Sequence, residues 1–263
     1  MSRSIEIKSG KTNILKSLFE CINPFIKDTN MLISKECIKI STMDASRTSL
    51  TYIKLDAPKF ESYRCDKSVI IGINTKLLFK MLKTSNRRET ITLYMNSNND
   101  DHLFIELSEN ETSSSRTYKM HLLALEDKII QVPDLEFDSI INIPTVQFQQ
   151  IIKNIQLIEG KVIDIKSIGK QLIFGCVDGE ADFKTVLNEI KDEYVKDSDD
   201  VHFVKNSDNI VQGRFKLNII LNFIKASHLC DNMNILMLND KPLILEYNIA
   251  DLGTMRCMIS QEN

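Results

Sequence analysis

The sequence contains no tryptophan, and glycine and proline are scarce, with 8 and 5 among 263 residues. None of the glycines belongs to a GxGxxG pattern or to GxxxxGK followed by Ser or Thr, which excludes the common phosphate-binding loops. Every apolar run falls short of the ~20 residues that cross a bilayer. The N-terminus also lacks the apolar stretch of a signal peptide, so we expect a protein that works inside a cell.

Patterns typical of metal sites and of enzymes are also missing. The six cysteines occur without a CxxC pair or nearby histidines at metal spacing, which predicts buried free thiols and no cofactor, with a zinc site or disulfides as the alternative. Neither HExxH nor a nucleophile elbow occurs, and Glu189, Asp199 and Asp200 form no metal-spaced cluster with the four histidines. We therefore expect no catalytic residues and no enzymatic activity. A nucleic-acid enzyme stays as an alternative that a measured turnover would establish.

A repeat relates the two halves of the chain. Residues 77–85 reappear as residues 219–227, and residues 40–44 align with residues 174–178. Two copies of one supersecondary unit predict a pseudo-symmetric pair of domains. Short strand-like runs dominate both halves, and four helices are predicted, over residues 11–22, 75–83, 145–158 and 216–226.

The fold class that fits this pattern is α+β. Each half is predicted to have antiparallel sheets with two helices packed on one side. The predicted domains are residues 1–121 and 135–263, and residues 122–134 form an extended connector between them.

Charge is distributed unevenly over the predicted elements. The chain has a net charge of −3, but its four predicted helices contain eight lysines and a single acid, Glu20. The lysines are Lys11, Lys16, Lys76, Lys80, Lys83, Lys153, Lys216 and Lys225. Exposed helices normally mix Glu with Lys, because pairs of opposite sign four residues apart stabilise them. The helices therefore indicate a surface that contacts the phosphates of duplex DNA without reading its sequence, although solvated helix faces remain the alternative.

Several segments resemble the eukaryotic sliding clamp family, proliferating cell nuclear antigen. They are residues 43–50, 62–66, 71–74, 118–120, 132–133 and 242–253. The resemblance implies a pseudo-six-fold ring of three identical subunits, with helices on the inner side, sheets outside and duplex DNA in the central hole. Such a ring tethers DNA polymerase in replication and enzymes of repair, which makes it a processivity factor. The lysine stripe and the resemblance together place Lys16, Lys76, Lys80, Lys83, Lys153 and Lys225 in the DNA channel.

The resemblance also implies a partner site on the front of each subunit. Polymerase, ligase, nuclease and clamp-loader tails insert a helical turn there. The matching positions are Met43, Arg47, Leu50, Ile130, Val132, Pro133, Pro242 and Met258. Met258 stands where the family usually has Tyr, and Arg47 where it often has His. We therefore expect a pocket tuned to different tails.

For the subunit contact, the resemblance points to edge strands near residues 116–121 and 182–187. Tyr118, Met120, Phe183 and Thr185 are the predicted contact residues, although both strands could instead complete internal sheets. Two other assemblies stay open: a subunit of a heteromeric checkpoint-type clamp, and a viral processivity factor that is a monomer or dimer. The abundance of Ile, Lys and Asn indicates an AT-rich genome, such as that of a large DNA virus. The expected location is the nucleus, or, for a virus, the nucleus or a cytoplasmic replication site of the host.

Overall fold

The chain folds into two compact units. The first comprises Met1–Thr42, Tyr52–Gln131 and Ile249–Thr254, and the second comprises Met43–Thr51, Val132–Asn248 and Met255–Asn263. The structure, a computed structural model, describes residues 2–97, 99–109, 114–126, 129–132, 135–189, 200–207 and 209–262.

The first unit has two helices and two groups of antiparallel strands. The helices are α1 (Thr12–Ile22) and α2 (Thr75–Lys83). The strands are β1 (Arg3–Ser9), β2 (Asp28–Ile33), β3 (Cys37–Met43), β4 (Ser49–Asp56), β5 (Ser62–Cys65), β6 (Val69–Asn74), β7 (Thr90–Asn96), β8 (Asn99–Glu109) and β9 (Ser114–His121). One sheet has the order β5-β1-β7-β8-β9, and β6, β2, β3 and β4 are hydrogen-bonded in that order.

Alternation along the strands builds the core of the first unit. In β8, Leu103, Ile105 and Leu107 are fully buried, while the residues between them are partly exposed. Helices α1 and α2 pack against each other and bury their apolar faces, with Leu18 and Leu78 almost inaccessible to solvent. The polar faces of both helices are left on the surface.

The second unit repeats this arrangement. Its helices are α3 (Thr145–Leu157) and α4 (Leu217–Phe223), and α4 continues as a 3-10 turn over Ile224–His228. Its strands are β10 (Ser139–Pro144), β11 (Val162–Ile168), β12 (Gln171–Cys176), β13 (Phe183–Asn188), β14 (His202–Lys205), β15 (Val211–Lys216), β16 (Asn232–Met237), β17 (Leu243–Ile249) and β18 (Gly253–Ile259). One sheet has the order β13-β12-β11-β15, and β14, β10, β16, β17 and β18 are hydrogen-bonded in that order.

Aromatic and aliphatic side chains fill the second core. The rings of Phe148 on α3 and Phe174 on β12 meet at a centroid distance of 6.0 Å and an angle of 58°, a favourable tilted contact. Tyr247, Phe215 and Ile152 are also fully buried.

The helix bounds agree closely with those predicted from periodicity. Helix α2 begins and ends at the predicted residues, and the Asn74 side chain caps it by accepting a hydrogen bond from the Leu77 amide at 2.8 Å. Helices α1 and α4 each begin one residue later than predicted, so Lys11 and Lys216 are N-cap residues outside the helices. The fourth predicted helix changes to 3-10 geometry after Phe223.

The cysteines form no disulfide, and five of the six are buried. Only Cys230 is partly accessible, so the prediction of buried thiols is confirmed for the other five. No helix in the described part of the chain has both the length and the apolar character that a membrane span requires.

Candidate nucleic-acid interface and partner surfaces

The exposed face of α2 carries three of the predicted channel lysines. Lys76, Lys80 and Lys83 are exposed, while Leu78 and Leu82 on the opposite face are buried. Lys80 and Lys83 lie in the last turn, where positive charge is stabilised by the helix dipole. The amphipathic pattern therefore sets both the packing of α2 and the direction of its charges.

Helix α1 and the second pair of helices carry fewer charges. Lys16 on α1 is half-buried, and Lys153 on α3 is exposed. Lys225 lies in the 3-10 turn after α4, not on the helix itself. The Gln149 side chain fastens this turn to α3 by donating to Ser227 Oγ at 3.2 Å. Exposed amides occupy much of the remaining polar face: Gln150, Asn154, Asn218 and Asn222.

Two of the eight lysines counted on the predicted helices do not belong to this surface, which lowers the number of lysines on it to six. Lys11 forms an ion pair with Asp251 at 2.5 Å, and Lys216 forms one with Glu262 at 3.1 Å. Both lysines are N-caps whose charge is neutralised by a residue distant in sequence. None of the six lysines predicted for the channel forms an ion pair within the described ranges. Their charges are therefore available for a polyanion.

The loop between β3 and β4 presents Met43, Arg47 and Leu50. It is organised by Asp44, whose carboxylate accepts hydrogen bonds from Ser46, from Thr48 Oγ1 at 3.0 Å and from the Ser49 amide. Burial alone would raise the pKa of Asp44, but the hydrogen bonds from Ser46, Ser49 and Thr48 outweigh it and bring the pKa to about 2. The ionised Asp44 thus holds the loop in one conformation.

Within this loop, Met43 is unusually exposed for an apolar residue, at 41%. Arg47 has a φ of 57°, in the left-handed region that most residues avoid. Leu50 is half-buried at the start of β4. The loop therefore offers an apolar side chain and a cation to solvent from a fixed backbone.

A partly exposed apolar cluster lies elsewhere on the second unit. Phe137, Leu236 and Ile244 form its buried base, and Met258 packs against them. Leu135, Ile140 and Leu238 complete the surface around Met258. Pro242 is half-buried in the turn that precedes β17. This cluster could accept an apolar side chain from another molecule.

The connector between the domains, residues 122–134, is held to the first unit by hydrogen bonds at Leu123 and Ile130. In the first unit, Ser41 Oγ donates to the Ile130 carbonyl at 2.8 Å, and the Leu123 amide donates to the Gly72 carbonyl at 2.8 Å. A Cβ at Gly72 would lie 2.3 Å from the Leu123 carbonyl oxygen, so only glycine permits this approach. Val132 is half-buried, and Pro133 lies outside the described residues.

The two strands predicted for the subunit contact both lie at sheet edges. β9 ends one sheet and β13 ends another, and among the described residues each has a neighbouring strand on one side only. Phe183 and Thr185 are half-buried on β13. Tyr118 is half-buried on β9, but Met120 is only 1% exposed, because its side chain belongs to the core of its own unit. Met120 can therefore contribute to a joint only through its backbone.

Known proteins match this chain along almost its whole length. The family model described as the N-terminal domain of proliferating cell nuclear antigen matches residues 4–128, and the model of the C-terminal domain matches residues 131–262. The chain belongs to the proliferating cell nuclear antigen family. A relative from Paramecium bursaria Chlorella virus 1, described as "Probable DNA polymerase sliding clamp 1", is 29% identical over 259 residues, or 97% of this chain and 95% of the relative. The two family domains, together with the antiparallel sheets and four helices, confirm the expected two-domain α+β clamp fold.

Glu189, one of the residues considered for catalysis, has structural partners in this member of the clamp family. Glu189 forms an ion pair with Lys170 and accepts a hydrogen bond from the Phe203 amide at 3.2 Å; the Lys170 contact is the main cause of its lowered pKa. The described ranges contain no group of three or more His, Cys, Asp or Glu side chains that could hold a metal. Asp199 lies outside the described residues.

Two residues that organise the candidate surfaces were missed from the sequence. Asp44 was part of a family-like segment but was not predicted to shape the loop. The spacing Asp-x-Ser-x-Thr is typical of turns in which a carboxylate binds nearby donors, and it could have identified Asp44. The role of Gly72 depends on Leu123, which is distant in sequence, so no local pattern indicates it.

Proposed function

We propose that this protein is a DNA sliding clamp that encircles duplex DNA without sequence specificity and tethers replication and repair enzymes to it. Membership of the clamp family supports the sliding-clamp function. The viral relative's description as a DNA polymerase sliding clamp points to a polymerase as one client. The observation that carries the proposal for this chain is the set of six lysines, five on the helices and Lys225 in the 3-10 turn, without carboxylate partners among the described residues. The proposal assigns no catalytic step to the chain.

Contact with DNA would be electrostatic and weak. Lysine and amide side chains bind phosphate oxygens irrespective of base sequence, and their binding weakens as salt rises because counterions are released from DNA. Since a closed ring is retained by topology, weak contacts are sufficient and permit sliding. We assign Lys16, Lys76, Lys80, Lys83, Lys153 and Lys225 to this contact.

Three copies of the chain would supply the ring. An open edge strand is a template for pairing with another chain, and β9 and β13 each have such an edge within the described structure. Pairing β9 of one copy with β13 of the next would satisfy both edges and generate a head-to-tail assembly, which forms a ring when the rotation between neighbouring subunits closes after three copies. Tyr118, Phe183 and Thr185 would lie in this joint, with the Met120 backbone.

We assign partner binding to Met43, Arg47, Leu50, Ile130, Val132, Pro133, Pro242 and Met258. A clamp-binding tail that presents an apolar anchor would bury it against the exposed Met43 and the partly exposed Met258. Polymerase, ligase, nuclease and clamp-loader tails are the proposed clients. We also propose residues 1–121, 122–134 and 135–263 as the functional division, and a location where DNA is replicated: the nucleus, or a cytoplasmic replication site of an infected host cell.

The decisive experiment combines native mass with retention on DNA. We expect a mass of three 30.2 kDa chains, and retention on nicked circular DNA that disappears when the same DNA is linearised. Equal retention on both forms would contradict a ring. A monomer or dimer that still stimulates polymerase would establish a non-ring factor, and a chain that assembles only with other subunits would establish a heteromeric clamp.

A further inference from the structure

An ion pair between a buried carboxylate and an exposed arginine connects the end of α2 to the edge strand β9. The Glu89 carboxylate, with a side chain only 4% exposed, lies 2.8 Å from Arg116 Nη2. The same carboxylate accepts a hydrogen bond from the Asn86 amide at 2.8 Å. The Glu89 carbonyl accepts one from Thr12 Oγ1 at 2.7 Å, so the loop between α2 and β7 is also attached to α1.

Arg116 and Tyr118 both reach from β9 to the C-terminal end of α2. Arg116 Nη2 donates to the Thr84 carbonyl at 2.6 Å, and the Tyr118 hydroxyl lies 2.9 Å from Thr84 Oγ1. Thr84 is the C-cap of α2. The last carbonyls of a helix lack partners within the helix, so a guanidinium at this position both satisfies one of them and complements the helix dipole.

These contacts fix the position of the lysines that precede them. Lys80 and Lys83 lie in the last turn of α2, immediately before Thr84. Without Arg116, the 4% exposed Glu89 carboxylate would keep the hydrogen bond from the Asn86 amide but lose its cation, so we expect the loop to rearrange. Because Thr84 and Glu89 begin and end that loop, rearrangement would free the helix end from β9.

We infer that Arg116 and Glu89 are positioning residues that hold Lys80 and Lys83 in the geometry for binding DNA phosphates. The inference rests on the proposed function. It adds that the strand proposed to join two subunits also sets the DNA contact, because Arg116 and Tyr118 share the face of β9 that turns towards α2. Subunit joining and DNA binding are thus mechanically connected in one strand.

The test measures residence time on nicked circular duplex DNA as a function of salt, with native mass recorded for every variant. We expect Arg116→Ala to shorten residence about tenfold and to lower the salt slope by about one to two, as if one or two fewer phosphates were neutralised. Arg116→Lys should recover part of the residence time that Arg116→Ala loses, because it returns a cation to Glu89. The matched control is Arg64→Ala, which removes an exposed arginine paired with Asp66 at the other edge of the same sheet; it should behave as wild type.

Combining Arg116→Ala with variants of Lys80 and Lys83 distinguishes a role of Arg116 in positioning these lysines from a general loss of structure. In a background of Lys80→Gln and Lys83→Gln, Arg116→Ala should cause no further decrease in residence, because the lysines that it positions are already absent. A fully additive decrease, or wild-type retention by Arg116→Ala alone, would overturn the inference. If Arg116→Ala does not fold, Tyr118→Phe removes only the hydroxyl contact with Thr84 and should still shorten residence; wild-type retention would then overturn it. If the Lys80 and Lys83 variants themselves bind as wild type, the proposed DNA contact fails and this inference fails with it.

Discussion

The two units share one arrangement of helices over strands but differ in what those helices expose. In the first unit, the helices carry Lys16, Lys76, Lys80 and Lys83, with Glu20 as the only acid. In the second unit, they carry Lys153, and the 3-10 turn carries Lys225, while exposed amides are the commonest of the other polar residues. The buried faces are alike in consisting mostly of apolar side chains, drawn from Leu, Ile, Phe and Cys. Packing therefore constrains the apolar face, and the polar face is free to vary in charge between repeats.

The largest expected effect comes from neutralising one set of lysines at a time. Changing Lys16, Lys76, Lys80 and Lys83 to Gln should lower the salt slope of DNA binding by about 0.9 for each phosphate that is no longer neutralised. Changing Lys153 and Lys225 to Gln should lower it about half as much, because half as many charges are removed. The measurement is the binding constant over a salt series.

Native mass and thermal stability of both variants serve as controls for folding and assembly. Equal decreases in salt slope for the two variants would contradict the expectation that the first unit makes more phosphate contacts than the second. Such a result would mean that only some of the first unit's lysines touch DNA.

The converse change should reduce the difference between the units. Asn218 and Asn222 align in the repeat with Lys76 and Lys80, and both are exposed on α4. Converting them to Lys should raise the salt slope by roughly 0.9 for each additional phosphate neutralised and lengthen residence on DNA several-fold. A matched control places Lys at the exposed Val204 on β14, away from the helices, and should leave the slope unchanged. An unchanged slope for the α4 variants would show that this face lies too far from the phosphates.

A smaller effect distinguishes α2 from the other helices. Only α2 has a side-chain N-cap among the four described α-helices, so Asn74→Ala should lower the free energy of unfolding by about 1 kcal/mol. Asn74→Ser should retain more of the stability than Asn74→Ala, because a hydroxyl oxygen can accept the same hydrogen bond, although both variants lose the donation from Asn74 Nδ2 to Asp28 Oδ1 at 2.6 Å. Chemical denaturation measures both, and an unchanged midpoint for Asn74→Ala would contradict a contribution from the cap.

The smallest effect concerns two aspartates at equivalent positions of the repeat, Asp44 and Asp178. Hydrogen bonds lower the pKa of both: from Ser46, Ser49 and Thr48 to Asp44 against the effect of burial, and chiefly from the Cys176 thiol to Asp178. A lowered pKa in the folded state means that the stabilisation is complete above the unfolded pKa of about 3.9 and is lost as pH falls through the folded pKa.

For Asp44 the stabilisation should be lost as pH falls from about 3.9 through the folded pKa of about 2, and protonation of Asp44 in the folded state should be centred near that folded value. The Ser49 amide resonance, followed from neutral pH downwards, should report it, and Asp44→Asn should remove the transition. A midpoint near the unfolded value of about 3.9 would contradict the stabilising hydrogen bonds.

Periodicity was sufficient to predict the helices, because each has a strong apolar face. The core of α2 and its Asn74 cap were readable from residues adjacent in sequence. The ion pairs could not be predicted from residues adjacent in sequence. Lys11 pairs with Asp251, and Lys216 pairs with Glu262, so counting charge along the predicted helices overestimated the number of lysines available to DNA. Sequence cannot supply such pairs, since they depend on which strands the fold brings together.

The same limit applies to the proposed joint. A two-residue period correctly groups Tyr118 and Met120 on one face of β9, but it does not say which face turns inward. The structure buries Met120 in its own core and directs the Tyr118 hydroxyl to Thr84. Edge position, the property that matters for pairing with another chain, depends on sheet order and became visible only in the fold.

The close approach of Gly72 to Leu123 limits which substitutions this protein can accept near the start of the connector. Because even a methyl group at residue 72 would strike the Leu123 carbonyl, the start of the connector is anchored by the lack of a side chain and tolerates no enlargement there. The exposed residues 124–126 carry no such restriction. Substitutions can therefore accumulate along residues 124–126, while the point at which the connector leaves the first unit stays the same.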